Sequence, residues 1–116
     1  KVDIVSPVPL HRKKIKKRGY NQSEMIALGL AGILNKPMVS DLLERREFTD
    51  TQTRRSRYDR FTNVTGCFRL NGKYNYSGRH VLLVDDVITT GSTLEACAEV
   101  LLEKGIKVSV VTLAVA

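Results

Sequence analysis

The chain has no tryptophan, and aromatic residues make up only 6% of its 116 positions. Stacking platforms for nucleobases are therefore scarce, and core packing is the ordinary use of the few rings present. Cysteine is just as sparse. Cys67 and Cys97 stand far apart, form no C-x-x-C pair and have no histidine grouped with them, since His11 and His80 lie elsewhere. A disulfide scaffold and a zinc site of ordinary ligand spacing are both unsupported, and two separate thiols suit the reducing cytoplasm. No apolar run approaches the ~20 residues a membrane helix needs, so membrane insertion is not expected. The opening Lys1-Val2-Asp3-Ile4-Val5 is strand-like rather than a secretory signal. It lacks an initiator Met, which leaves room for an upstream segment.

What is present fits one α/β domain spanning residues 1–116. Such a length buries roughly two-thirds of the surface its unfolded chain exposes. Hydrophobic residues at 42% and charged residues at 27% exclude a fully disordered chain. The net charge of +7 is lopsided. Residues 1–60 hold 14 basic and 7 acidic groups, whereas residues 61–116 hold 5 of each. A one-sided excess points to an anionic partner: a phosphorylated small molecule, nucleic acid or an anionic membrane surface.

Val2 to Val8 reads as a first strand, closed by Pro7 and Pro9. Asn21 followed by Glu24 is a helix-start signature, a capping side chain with a reciprocal acid. Ile26, Leu30, Ile33 and Leu34 then repeat at helical spacing beside Ala27 and Ala31, and Asn35 with Pro37 stops the helix. Residues 38–44 suggest a short strand. Residues 45–63 are polar and unpatterned, a loop length uncommon in a compact domain and usual only for a lid, a binding loop or disorder. Val64 to Leu70 reads as extended, and Asn71-Gly72 as a turn. Val81-Leu82-Leu83-Val84 is the continuous apolar run of a strand buried on both faces. Leu94, Cys97, Ala98 and Leu101 mark a helix over 93–104 that Gly105 ends, and 107–115 is a Val-rich strand. Strand 81–86, helix 93–104 and the last strand form a βαβ unit. Its crossover should be right-handed, and the sheet mainly parallel.

The run from Val81 to Thr93 carries the chemistry. Asp85 and Asp86 end a buried strand, and a Thr89-Thr90-Gly91-Ser92-Thr93 turn leads into the helix. Open α/β sheets bind ligands at this edge. Gly91 lets backbone approach an oxyanion, the free N–H groups of the helix start point outward, and four hydroxyls add donors. Ser92 with Glu95 fits a capping box. Neighbouring strand side chains diverge, so the two aspartates need not share one ligand. Beside a phosphate they must accept from hydroxyls or face a cation, and a sugar phosphate with magnesium meets both conditions. The turn matches neither G-x-x-x-x-G-K-[ST] nor G-x-G-x-x-G.

Four apolar residues, two acids and a Thr/Gly phosphate loop resemble the signature of type I phosphoribosyltransferases, which bind 5-phosphoribosyl-1-pyrophosphate. Gly91-Ser92 stands where many copies have Gly-Gly. A second block, Val8-Pro9-Leu10-His11-Arg12 with Arg18-Gly19-Tyr20-Asn21-Gln22-Ser23-Glu24, resembles the ComF family of phosphoribosyltransferase-like proteins, associated with competence and DNA uptake. Thr51, Arg54, Arg60, Asn63 and Phe68 are similar to its middle segment. The resemblance implies a mainly parallel sheet flanked by helices, with a flexible hood over the site. It assigns Asp85 and Asp86 to the ribose hydroxyls, with Mg2+ reached through the ligand, and Thr89–Thr93 to the 5-phosphate. It makes Pro9, Leu10, His11 and Arg12 the pyrophosphate loop and residues 46–60 the hood, where Arg54, Arg55, Arg57 and Arg60 would neutralise departing pyrophosphate. Members often carry an amino-terminal cysteine-rich zinc segment, which residues 1–116 do not include, and the fold often pairs, so a homodimer is an expectation.

Six of the seven residues from Arg12 to Arg18 are basic. Three readings stand side by side: pyrophosphate capture, a nucleic-acid patch with sequence-blind, salt-dependent affinity, and a solvated turn. Two functions follow. One is a magnesium-dependent transfer of phosphoribose to an acceptor that no segment announces. The other is a non-catalytic module acting in DNA uptake through single-stranded DNA or a protein partner.

Overall fold

The computed structural model describes residues 1–9, 21–45, 68–88 and 91–115, with 87, 88, 92, 114 and 115 described by backbone alone. At its centre lies β4 (His80–Ile88), whose apolar stretch Val81–Val84 is buried throughout. Two parallel neighbours flank it, β1 (Ile4–Pro7) and β5 (Lys107–Val115), in the order β1-β4-β5. Ile4 pairs with Val81 and Pro7 with Val84 on one side, and Val81 pairs with Val108 on the other. Proline has no N–H to give a ladder, so its place at the last rung of β1 is the tolerated one. Beyond β1, Met38 makes an isolated parallel bridge to Val5.

Alternation along β4 splits the apolar residues between two faces. Leu82 and Val84, with Val5, pack against Ala27 and Ala31 of α1 (Gln22–Leu34). Val81 and Leu83, with Ile4, pack against Leu94, Cys97 and Leu101 of α2 (Ser92–Glu103), and the same layer takes in Leu42, Leu43, Phe68 and Ile106. Each fully buried Leu or Val contributes about 1.5–3 kcal/mol relative to exposure. Helix, parallel sheet and helix thus form the α/β layering that the strand–helix alternation predicts.

Differences from the sequence reading have physical causes. Helix α1 does not bury its largest apolar side chains. Its sheet-facing stripe is Ser23, Ala27 and Ala31, while Ile33 is 81% exposed. Small residues let the helix axis lie close to the strands, and Ile26 and Leu30 cover the flanks. The strand expected over 38–44 separates into the Met38 bridge and β2 (Leu43–Arg45), which pairs antiparallel with β3 (Phe68–Leu70). Between them Asp41 is tied down by the Tyr74 hydroxyl and by Lys73 at 2.8 Å.

The helix ends follow sequence closely. Asn35 takes the left-handed conformation (φ 55°) to end α1, and Gly105 (φ 74°) follows α2. There the Ile106 N–H reaches the Leu101 carbonyl at 3.1 Å and the Gly105 N–H reaches the Leu102 carbonyl at 3.0 Å, the Schellman pattern. A side chain at Gly105 would also meet the Ser77 hydroxyl at 3.0 Å.

Candidate functional site

Strand β4 changes character after Val84. Asp85 and Asp86 occupy its carboxyl-terminal part and are only partly buried. They do not diverge as neighbouring strand residues ordinarily do. Their Oδ1 atoms lie 3.4 and 3.5 Å from a single atom, the Ser23 Oγ. The Asp86 backbone N–H completes the cluster, donating to Ser23 Oγ at 3.1 Å and to Asp85 Oδ1 at 3.0 Å. The cause is the first turn of α1, which reaches over the strand end and offers one hydroxyl between the two carboxylates.

That turn is itself anchored. Asn21 caps α1 by accepting from the Ser23 N–H at 3.1 Å, and its Nδ2 donates to the Val8 carbonyl at 3.2 Å. The helix start is thereby fixed to the end of β1, where Pro9 begins the loop assigned to pyrophosphate. On the far side of β4, the Thr112 hydroxyl of β5 donates to the Asp86 carbonyl at 3.3 Å.

The electrostatics match this crowding. Burial pushes the Asp85 carboxyl above its ordinary range. The Asp86 carboxylate adds to the rise by hydrogen bonding and charge, while the Asp86 N–H and the Ser23 hydroxyl oppose it. Beneath the pair, Cys97 is a free, buried thiol whose pKa burial pushes up to about 12, with the Asp85 charge adding. It is a core thiol and not a nucleophile.

Helix α2 begins differently from the capping box its sequence suggests. Its N-cap is Gly91, not Ser92; Ser92 is the first helical residue, and no side-chain hydrogen bond closes the cap. Gly91 adopts φ 80° and ψ −8°, a left-handed conformation costly for other residues. Gly91 has no side chain to cap this helix start, and a helix N-terminus is where backbone N–H groups and the helix dipole favour an anion. Thr93 follows within this turn and is partly buried.

The structure thus brings Asp85, Asp86, Gly91 and the start of α2 to one edge of the sheet. Thr89, Thr90, Leu10, His11, Arg12 and the hood arginines Arg54, Arg55, Arg57 and Arg60 lie outside the described residues. Ser23 went unrecognised as a site residue, although its spacing with Ala27 and Ala31 puts a lone hydroxyl in a buried small-residue stripe. Magnesium fits the donor chemistry here. Two carboxylates pressed together favour a cation or hydroxyl donors between them. Among the described residues no three His, Cys, Asp or Glu side chains gather to hold a metal, so most of its oxygen ligands would come from substrate and water. Among the described residues no helix is long and apolar enough to cross a membrane.

Comparison with known proteins agrees with this geometry. Residues 19–116 match the model of the phosphoribosyl transferase domain. The chain is 37% identical over 106 residues to Competence protein F of Haemophilus influenzae, covering 90% of this chain and 46% of that protein. It is 37% identical over 103 residues to DNA utilization protein YhgH of Escherichia coli K12, covering 89% of this chain and 44% of that one. It is 31% identical over 107 residues to Competence protein ComFC of Bacillus subtilis, covering 92% and 41%. The chain therefore spans less than half the length of these curated relatives. With the matched region running from the residue before Tyr20 through the aspartate pair to the end of β5, the chain belongs to the phosphoribosyl transferase domain family, as a ComF-like member.

Proposed function

We propose that this domain binds 5-phosphoribosyl-1-pyrophosphate with magnesium and transfers its phosphoribosyl group to an acceptor, releasing pyrophosphate. The observation that supports this most is the convergence of Asp85 and Asp86 at the carboxyl end of β4, one turn ahead of the uncapped entrance of α2. The aspartates accept from the ribose hydroxyls, and the Thr89–Thr93 turn holds the 5-phosphate through backbone N–H groups and hydroxyls. The Pro9–Arg12 loop and Arg54, Arg55, Arg57 and Arg60 supply donors and positive charge for pyrophosphate. The acceptor's electron pair forms the new bond to the anomeric carbon as the carbon–oxygen bond to pyrophosphate breaks; the pair of the broken bond leaves with pyrophosphate, and the acceptor's proton is released to solvent. Magnesium, when bound, offsets the charge of the leaving group. The protein contributes positioning and preorganised dipoles rather than a covalent nucleophile. We place this activity in the cytoplasm.

Calorimetry with 5-phosphoribosyl-1-pyrophosphate and magnesium tests this. The unmodified chain should bind, and Asp85→Asn/Asp86→Asn should lose about a hundredfold in affinity, since two charge-assisted hydrogen bonds are removed. Equal affinity in the two proteins, or binding by neither, overturns the assignment.

A second function is favoured by the relatives' names, which are those of competence and DNA utilization proteins. The basic stretch from Arg12 to Arg18 would then contact the phosphates of single-stranded DNA. Fluorescence anisotropy across a salt series decides. Replacing Lys13, Lys14, Lys16 and Lys17 with Ala should flatten the salt slope. Absence of binding at low salt, or an unaltered slope, removes this function.

A further inference from the structure

The sequence places Ser23 in a helix and leaves it without a task. In the structure its side chain is 4% exposed and its hydroxyl stands between two carboxylates that are 62 and 63 residues away in the chain. We propose that Ser23 is a positioning residue, which turns Asp85 and Asp86 toward one ligand and so sets the site's selectivity for a sugar bearing both ring hydroxyls. This rests on the phosphoribosyl assignment and names the residue that gives it its specificity.

Three observations carry it. First, the hydroxyl works in both directions. It accepts from the Asp86 N–H at 3.1 Å, which leaves its own hydrogen directed at the carboxylates. At 3.4 and 3.5 Å that hydrogen is shared between the two Oδ1 atoms and committed to neither. One hydroxyl hydrogen occupies only a fraction of the lone pairs that two carboxylates carry, so Ser23 itself does not use up their capacity to accept from a ligand. Second, the orientation is rigid. Ser23 sits in the first turn of α1, its N–H is held by Asn21 Oδ1, and Asn21 is tied to the Val8 carbonyl. Third, packing does not call for a hydroxyl at this place. The stripe continues as Ala27 and Ala31, so packing alone calls for a small apolar residue, and Ala is the better helix former. A buried hydroxyl there serves the end of β4, accepting from the Asp86 N–H and facing both carboxylates.

The test compares ribose 5-phosphate with 2-deoxyribose 5-phosphate by calorimetry, in the unmodified chain, Ser23→Ala and Ser23→Thr. The unmodified chain should prefer the ribose form by about tenfold, the worth of one charge-assisted hydrogen bond. In Ser23→Ala that preference should fall to near unity while affinity for the 2-deoxy sugar is retained. Folded Ser23→Thr, which keeps the hydroxyl, should hold the preference. A loss of general stability would weaken both sugars alike and would not move their ratio. An unchanged ratio in Ser23→Ala, or a lost one in folded Ser23→Thr, overturns the role of Ser23 and leaves the phosphoribosyl assignment standing. Failure of the unmodified chain to bind either sugar overturns this inference, and the phosphoribosyl assignment falls with it only where 5-phosphoribosyl-1-pyrophosphate with magnesium also fails to bind. A ligand-free measurement stands beside these: the Asp86 amide resonance should shift and exchange faster with solvent in Ser23→Ala. An unaltered Asp86 amide also overturns the inference.

Discussion

The two halves of β4 obey opposite rules. From Val81 to Val84 every side chain is buried in a layer of its own kind, and each rung pairs with a neighbour on both sides. With its next two residues the same strand crowds two carboxylates around one hydroxyl, with Asp85 held above its ordinary pKa by burial and by its neighbour. The lower half gains stability from its surroundings and the upper half gives some of it up. That is the usual relation between a scaffold and a candidate site on its edge, where like charges are brought together at some cost in stability. The lesson is local: one strand can be both, provided its neighbours change with it.

This contrast can be broken at either end. The largest effect should come from the lower half. Leu83→Ala removes a fully buried side chain between β1 and α2 and should cost about 2–5 kcal/mol in urea unfolding, with sugar-phosphate affinity per folded molecule unchanged. A cost of about 0.5 kcal/mol or less, the range of surface substitutions, would mean that the layer is not packed as described. Next comes the tie between the halves. Asn21→Ala removes the cap of α1 and the bond to Val8, and should cost about 1 kcal/mol in the same assay while loosening Ser23. An unchanged midpoint would show that the cap holds nothing. The smallest effect has the opposite sign. Below the ordinary carboxylate range Asp85 is protonated whether the chain is folded or unfolded, so Asp85→Asn should change little there. As pH rises, the unfolded chain ionises first, because the folded pKa is the higher one. The folded wild type is then progressively disfavoured, and Asp85→Asn should gain on it up to neutral pH. Unfolding midpoints across a pH series check this, and a variant that loses ground as pH rises contradicts the assigned direction.

Much of this was legible beforehand, and what was not has a common cause. The Val81–Val84 run, the left-handed Asn35 and the Gly105 stop are local signals, and local geometry honours them. Asp85, Asp86 and Gly91 are contiguous enough to announce an edge site. What escaped were relations between distant segments. Hydrophobicity ranked Ile33 above Ala27, but closeness of helix to sheet is decided by size, and the alanines won. Pattern alone had the aspartates diverging, and it took the first turn of α1 to bring them together. The capping box at Ser92 was outcompeted by the left-handed glycine before it. Met38 joined β1 through a single bridge because Asp41, held by Tyr74 and Lys73, turns the chain away toward β2.

The 3.2 Å bond from Asn21 to the Val8 carbonyl reaches beyond helix capping. It staples together the two ends of residues 9–20, so that segment departs and returns at one point of the framework whatever lies between. Closing such a span costs only about 0.6 kcal/mol more for each doubling of its length. A change in the length of this stretch would therefore disturb the strands beneath little, and its basic composition answers to the anion it serves rather than to the fold.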